Sequence, residues 1–157
     1  TGNQTKFNGA GVNPIDDQIY GSLKHSDGAY FVRLGSDGFE YLFKLDIGHT
    51  FIADFDENGD FYYYSSGYNK IENSHALTGY ADRGAVDAAN PADTSIYETR
   101  TWPPNAPGAD IAIVRDDSNN VIALSVSNAN NVMLHNITTG VETKILKAGF
   151  RKKNSMY

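Results

Sequence analysis

Two stretches of this chain, FVRLGSDGFEYLFKL (31–45) and VMLHNITTGVETKIL (132–146), follow one pattern. In each, a strand-like run holding Leu34 or Leu134 meets a turn that ends at Gly38 or Gly140, and a Glu and an outgoing apolar run follow. A second pattern occurs three times, in GVNPIDDQIYGS (11–22), ADFDENGDFYYYS (53–65) and IVRDDSNNVIALS (113–125). Each passes from a small or apolar segment through an Asp/Asn-rich turn into an apolar or aromatic run. Two β-prone runs joined by turn formers are the signature of a hairpin. The spacing is shared: Ile19 to Ile122 spans 103 positions and Gly38 to Gly140 spans 102. Two independent hairpins with one offset point to a repeated unit.

The simplest repeat is a four-stranded antiparallel unit of about 40 residues, the size of a propeller blade. The sequence therefore predicts an all-β chain of three propeller-like units, with a long loop insertion in the second. Unit one covers about 7–47, unit two about 50–108 with the insertion at 65–108, and unit three about 109–147. Residues 148–157 read as the start of a further unit. NPADTS and WPPNAPG in the insertion are loop signals, and DRGAVDAANPAD suits one short helix ended before Pro91. The turn residues expected are Gly11, Pro14, Gly38, Gly59 and Gly140, and the core residues Tyr20, Leu34, Phe61, Ile122 and Leu134. The run Phe61-Tyr62-Tyr63-Tyr64 alternates across its strand, so two of its members are expected in the core.

Bulk properties narrow the function classes. A net charge of −6 argues against a nucleic-acid partner. The basic cluster Lys147, Arg151, Lys152 and Lys153 reads as a solvated end. No apolar run reaches membrane-spanning length, so no membrane insertion is expected. The absence of cysteine removes disulfides, thiolate zinc sites and cysteine nucleophiles. Asn3 and Asn136 open Asn-x-Thr sequons, which would carry glycans in a secretory pathway.

GAGVNPIDDQIYG, FVRLGSDG and DFDENGDFY together resemble the propeller-like repeats of bacterial and algal surface proteins. The resemblance covers about 9–65 well and 109–157 loosely, and leaves the insertion out. It implies an extracellular or cell-surface β-repeat, commonly one part of a larger chain, and no catalytic residues.

The stretch DFDENG also begins like a calcium loop, with Asp54, Asp56, Asn58 and Gly59 at positions 1, 3, 5 and 6. Ser65 stands where the bidentate Glu belongs and Tyr62 where a shorter loop wants an acid. Asp60 adds only a backbone carbonyl. The ligand set Asp54, Asp56, Asn58 and Asp60 would therefore bind calcium weakly. A structural turn, with Asn58-Gly59 supplying positive φ, is the favoured reading, and no cofactor is expected.

His25, His49, His75 and His135 fall in or near expected turns and form no zinc pair, so solvated or capping roles are expected. No Gly-x-Ser-x-Gly elbow anchors a hydrolase, which stands third among the functions, and no catalytic residue is assigned. Tyr68, Tyr80, Tyr97 and Trp102, in or beside the insertion, are the candidates for sugar stacking. The leading expectation is a non-enzymatic structural module of a surface protein, adhesin or filament. A carbohydrate-binding, lectin-like propeller is the alternative. Closed propellers use about four to eight blades, so three units need partners. Those would be copies of the chain, forming a ring or filament, or flanking blades of the same chain. Glycans are a further partner under the alternative.

Overall fold

The computed structural model describes residues 6–45, 52–64, 67–89, 97–100, 110–126 and 131–147. They form three four-stranded antiparallel sheets. The first holds β1 (Lys6–Val12), β2 (Ile19–His25), β3 (Gly28–Gly35) and β4 (Gly38–Leu45) in that order. The second holds β5 (Ile52–Phe55), β6 (Phe61–Tyr64), β7 (Tyr68–Ile71) and β8 (Tyr97–Arg100). The third holds β9 (Ile111–Arg115), β10 (Val121–Val126), β11 (Asn131–Asn136) and β12 (Val141–Lys147), and no sheet closes on itself. The all-β expectation thus holds.

Every sheet is a meander, so neighbours in sequence are neighbours in space. The repeat is visible in the backbone. Asp17 and Asn119 take left-handed φ of 57° and 63° in the first turns of the outer sheets, and Gly38 and Gly140 take 125° and 79° in the third. Both pairs lie 102 positions apart. The third turns differ in length. Gly35 faces Gly38 across two residues, whereas Asn136 faces Val141 across four.

The sheets stack in chain order and in one sense. Tyr20 packs on Phe55 and Phe31 on Phe61, joining the first sheet to the second. On the opposite side of the second sheet, Tyr62 and Tyr68 pack with Ile111, Ile113, Val121 and Ala123 of the third. Aligned on their first turns, Tyr20, Tyr62 and Ile122 are equivalent, and the first two point toward the following sheet. Ile19, Phe61 and Val121 are equivalent in turn, and the last two point toward the preceding one. Each sheet therefore has a forward face and a back face.

Being the middle layer, the second sheet buries both faces. Phe61, Tyr62 and Tyr63 are all buried, three of the four aromatics and not two. Strand alternation predicts two only when one face meets water. The two outermost rows show the converse. Leu34, expected in the core, is 37% exposed on the back face of the first sheet, beside Val12 and Ile19. Leu134 is half-buried on the forward face of the third.

The segment expected as a loop over 65–108 contributes β7 and β8 to the second sheet. The excursion proper lies between Ile71 and Tyr97. It begins with a 3-10 turn at Ser74–Ala76, and its expected short helix is α1 (Arg83–Ala89). Tyr80 pairs with Tyr41 through two backbone hydrogen bonds of 2.8 and 2.9 Å, closing the outer edge of β4. Helix α1 then lies on the back face of the first sheet. There Asp87 accepts a 3.0 Å hydrogen bond from the Tyr30 hydroxyl, Arg83 pairs with Asp27, and Val86 is fully buried. The excursion is a strap across part of this end of the stack.

Candidate functional site

The first turn of each sheet is the site where chemistry converges. In the second sheet the Asp56 amide donates to the Asp60 carbonyl (3.0 Å) and the Gly59 amide to the Asp56 carbonyl (3.1 Å). Asp56 Oδ1 accepts from the amides of Asn58 and Asp60, both at 3.0 Å. The third sheet repeats this bond for bond. Asp116 donates to Asn120 and accepts from Asn119 on its backbone, and its Oδ1 accepts from Ser118 (2.9 Å) and Asn120 (2.8 Å). Asn119 takes the place of Gly59, because Asn tolerates the left-handed region best after Gly. The first sheet uses Asn13 in the same role, with the left-handed residue, Asp17, one position later. These are side-chain-capped turns, in which a short acid or amide satisfies amides that the hairpin leaves without a ladder partner.

The first two turns also reach forward to the next unit. Asn13 Nδ2 donates to Ser74 Oγ (3.0 Å), which donates in turn to the Gly59 carbonyl (3.2 Å). Asp56 Oδ2 accepts from Arg115 of β9, through Nε at 3.1 Å and Nη2 at 2.6 Å. The Asp56 side chain is fully buried and that of Arg115 is 13% exposed. Burial alone would lower the Arg115 pKa, but the hydrogen bond and charge of Asp56 outweigh it and hold it above its usual value. Arg115 Nη1 also donates to Asn119, tying the two ends of its own turn.

The four residues read as a calcium set are all engaged this way. Asp54 Oδ2 accepts from the Ile113 amide at 2.9 Å, capping the edge of β9 that faces β5. Asp56 is shared between two turn amides and a guanidinium. Asn58, with its amide oxygen turned to accept, lies 3.1 Å from Arg115 Nε. Asp60 Oδ1 accepts from the Asn73 amide at 3.2 Å, and burial, with the Asp56 charge adding to it, raises its pKa. A cation entering here would have to displace Arg115. Among the described residues no group of three or more His, Cys, Asp or Glu is placed to hold a metal.

Beside this joint lies a cleft of about 220 Å³ between the second and third sheets, lined by Tyr62, Tyr68, Lys70, Arg115, Val121 and Thr138 among others. Burial pushes the Tyr62 and Tyr68 phenols well above their ordinary range. Tyr68, expected beside a loop, is 1% exposed because β7 aims it at the third sheet. Tyr80 is half-buried against β4, so these two aromatics do not share a surface. Tyr97 lies in β8 with its side chain outside the described residues, and Trp102 and Asn3 lie outside them altogether. Asn136 ends β11 half-buried, its Oδ1 accepting from the Thr139 amide at 2.9 Å.

The same interface holds a group that the sequence does not announce. Ser125 Oγ lies 3.1 Å from His135 Nε2, and His135 Nδ1 lies 3.5 Å from a Glu142 carboxylate oxygen. His135 is therefore fully buried, not solvated at a turn as expected. Burial lowers its pKa, with Glu142 opposing, so the ring is held toward its neutral form. The order of groups is that of an acyl-transfer relay. However, Ser125 is 4% exposed and none of the three lines this cleft. The pattern could be read only once β10, β11 and β12 were in register, since the three residues stand on separate strands. His25 is half-buried, with its Nε2 3.0 Å from the Tyr41 hydroxyl, and His49 lies outside the described residues.

No family model matches the chain, and no curated protein matches it.

Proposed function

We propose that the chain is a non-enzymatic structural module in which propeller-like β-units stack head to tail, part of a surface protein, adhesin or filament. The single observation that carries this reading is the shared sense of the three sheets. Equivalent residues point the same way in each, and the turns of the first two sheets reach forward to the next unit. An array built so has no natural stop, and apolar rows remain at its outer faces: Val12, Ile19 and Leu34 on the first sheet, Val114, Val126 and Val141 on the third. Terminal repeats of stacked proteins need such rows covered. The surface location rests on the resemblance of the turn motifs and on the two sequons. The Asp56 turn is proposed as a joint and not a calcium site, because its carboxylate is already used.

Burial of Ser125 and His135 supports a structural over a hydrolytic role for that group. The cleft favours a second reading, a lectin-like site, since its volume suits a small polar ligand and its walls mix tyrosine with hydrogen-bonding groups. The test is sedimentation of the purified chain over a range of concentrations, with glycan-array binding in parallel. Self-association or apolar-dye binding lost in Val114→Lys and Val141→Lys, with the fold retained, is expected. A strictly monomeric chain that binds no dye and binds one glycan saturably would reject the structural reading for the lectin-like one.

A further inference from the structure

We infer that the forward face of the third sheet, with Asp116 at its corner, is a docking surface for a further four-stranded β-unit that presents an arginine or lysine immediately before its first turn. The inference rests on the stacking reading above and specifies its partner.

The two joints inside the chain supply the rule. In each, the side chain of the residue that opens the first turn contacts the next unit, at the 3-10 turn after β7 in the first joint and at the end of β9 in the second, with its charge matched there. Asn13, neutral, meets the Ser74 hydroxyl. Asp56, anionic, meets Arg115. Asp116 opens the third such turn with the same amide bonds as Asp56 and is exposed. Its Oδ2 accepts from its own Asn120 Nδ2 at 2.9 Å, the oxygen on which Asp56 receives Arg115. An acid in this place calls for a base from the next sheet, with bond strength to match a charge-assisted pair.

The rest of the face agrees. Val114, Ile122, Asn136 and Val141 form one row across its four strands, with Val114 44% and Val141 57% exposed. Tyr62 on the second sheet, facing forward, is buried against the third; its equivalent here, Ile122, is also buried at 6% exposed, so the open part of this face is Val114 and Val141 at the two ends of the row. A second copy of this chain is a poor fit. Val12 stands on its first sheet where Arg115 stands on the third, and α1 lies on that back face against Tyr30. The stack is directional, with a strapped end and an end built to continue.

The test extends the full chain by a second copy of residues 109–147 after residue 157, so that the added unit brings its own Arg115 in front of Asp116. Hydrogen exchange by mass spectrometry is read over 109–126 of the original unit. Slowing by about tenfold or more is expected, with most of that gain lost both in Asp116→Asn and in Arg115→Leu of the added unit, and restored by exchanging acid and base. Asp116→Asn in the unextended chain measures how far loss of the carboxylate loosens its own turn amides, Ser118 and Asn120, and that change is subtracted. No slowing at all would overturn the stacking reading together with the inference. Slowing that is indifferent to both substitutions would overturn the inference alone.

Discussion

At Gly59 the backbone has φ of 79°, and an added Cβ would lie 2.7 Å from Ile15 Cγ1 and 2.9 Å from Asn13 Oδ1. Gly140 has the same φ with nothing within 4 Å. The two glycines look alike in sequence, yet one joins two sheets and the other turns in open space. Gly59→Val should cost about 2 kcal/mol or more, from left-handed strain plus displacement of the Asn13 side chain. Gly140→Asn should stay within about 0.5–1 kcal/mol of the parent, since Asn tolerates this φ. Urea denaturation of both variants checks the contrast, and equal losses would deny the joint. The turn itself is legible in DENG and DDSN, because Asx capping is local chemistry. What the turn is for is not legible there, since Arg115 lies 59 positions from Asp56. A metal-like spacing of acids and a capped turn with a distant arginine are the same letters.

Among elements, the least legible was the second sheet. Its strands have four residues each, and its aromatics are buried on both sides, so neither length nor alternation marks them. β7 and β8 have the sequence character of a loop because the excursion separates them and lies amid Gly, Pro and Asn. The helix α1 was legible, since its stop signal is a proline. The interface of the second and third sheets also carries a pH dependence through His135. Folding lowers its pKa, so in the unfolded chain the ring takes a proton below about pH 6.5 while the folded one resists. Its contribution to stability is therefore full above that pH and is lost as pH falls toward the folded value. The slope can approach about 1.4 kcal/mol per pH unit for one proton. His25, also lowered by burial, acts in the same direction, so the measurement is a difference. Stability measured from pH 7.5 to 5 should fall less steeply in His135→Gln than in the parent. An unchanged slope would mean that His135 titrates as freely as in the unfolded chain.

For the whole molecule, the repeat was readable because two hairpins share an offset, and the number of sheets followed from it. Stacking sense was not readable, because it depends on which alternate side chains meet across sheets. Nor was the strap, whose contact with β4 is a pair of backbone bonds between Tyr41 and Tyr80 with no side-chain signature. With those in place, the central claim is that the acid-rich turns are the joints of a stacked array. Asp56 and Arg115 form the joint at which this is sharpest, a fully buried carboxylate on a guanidinium 13% exposed. The direct test is a double-mutant cycle of Asp56→Asn and Arg115→Met by chemical denaturation, run once with calcium and once with chelator. A coupling of about 2–4 kcal/mol that is the same in both conditions is predicted. Coupling near zero, with stability that rises on adding calcium, would contradict it and return this turn to metal binding.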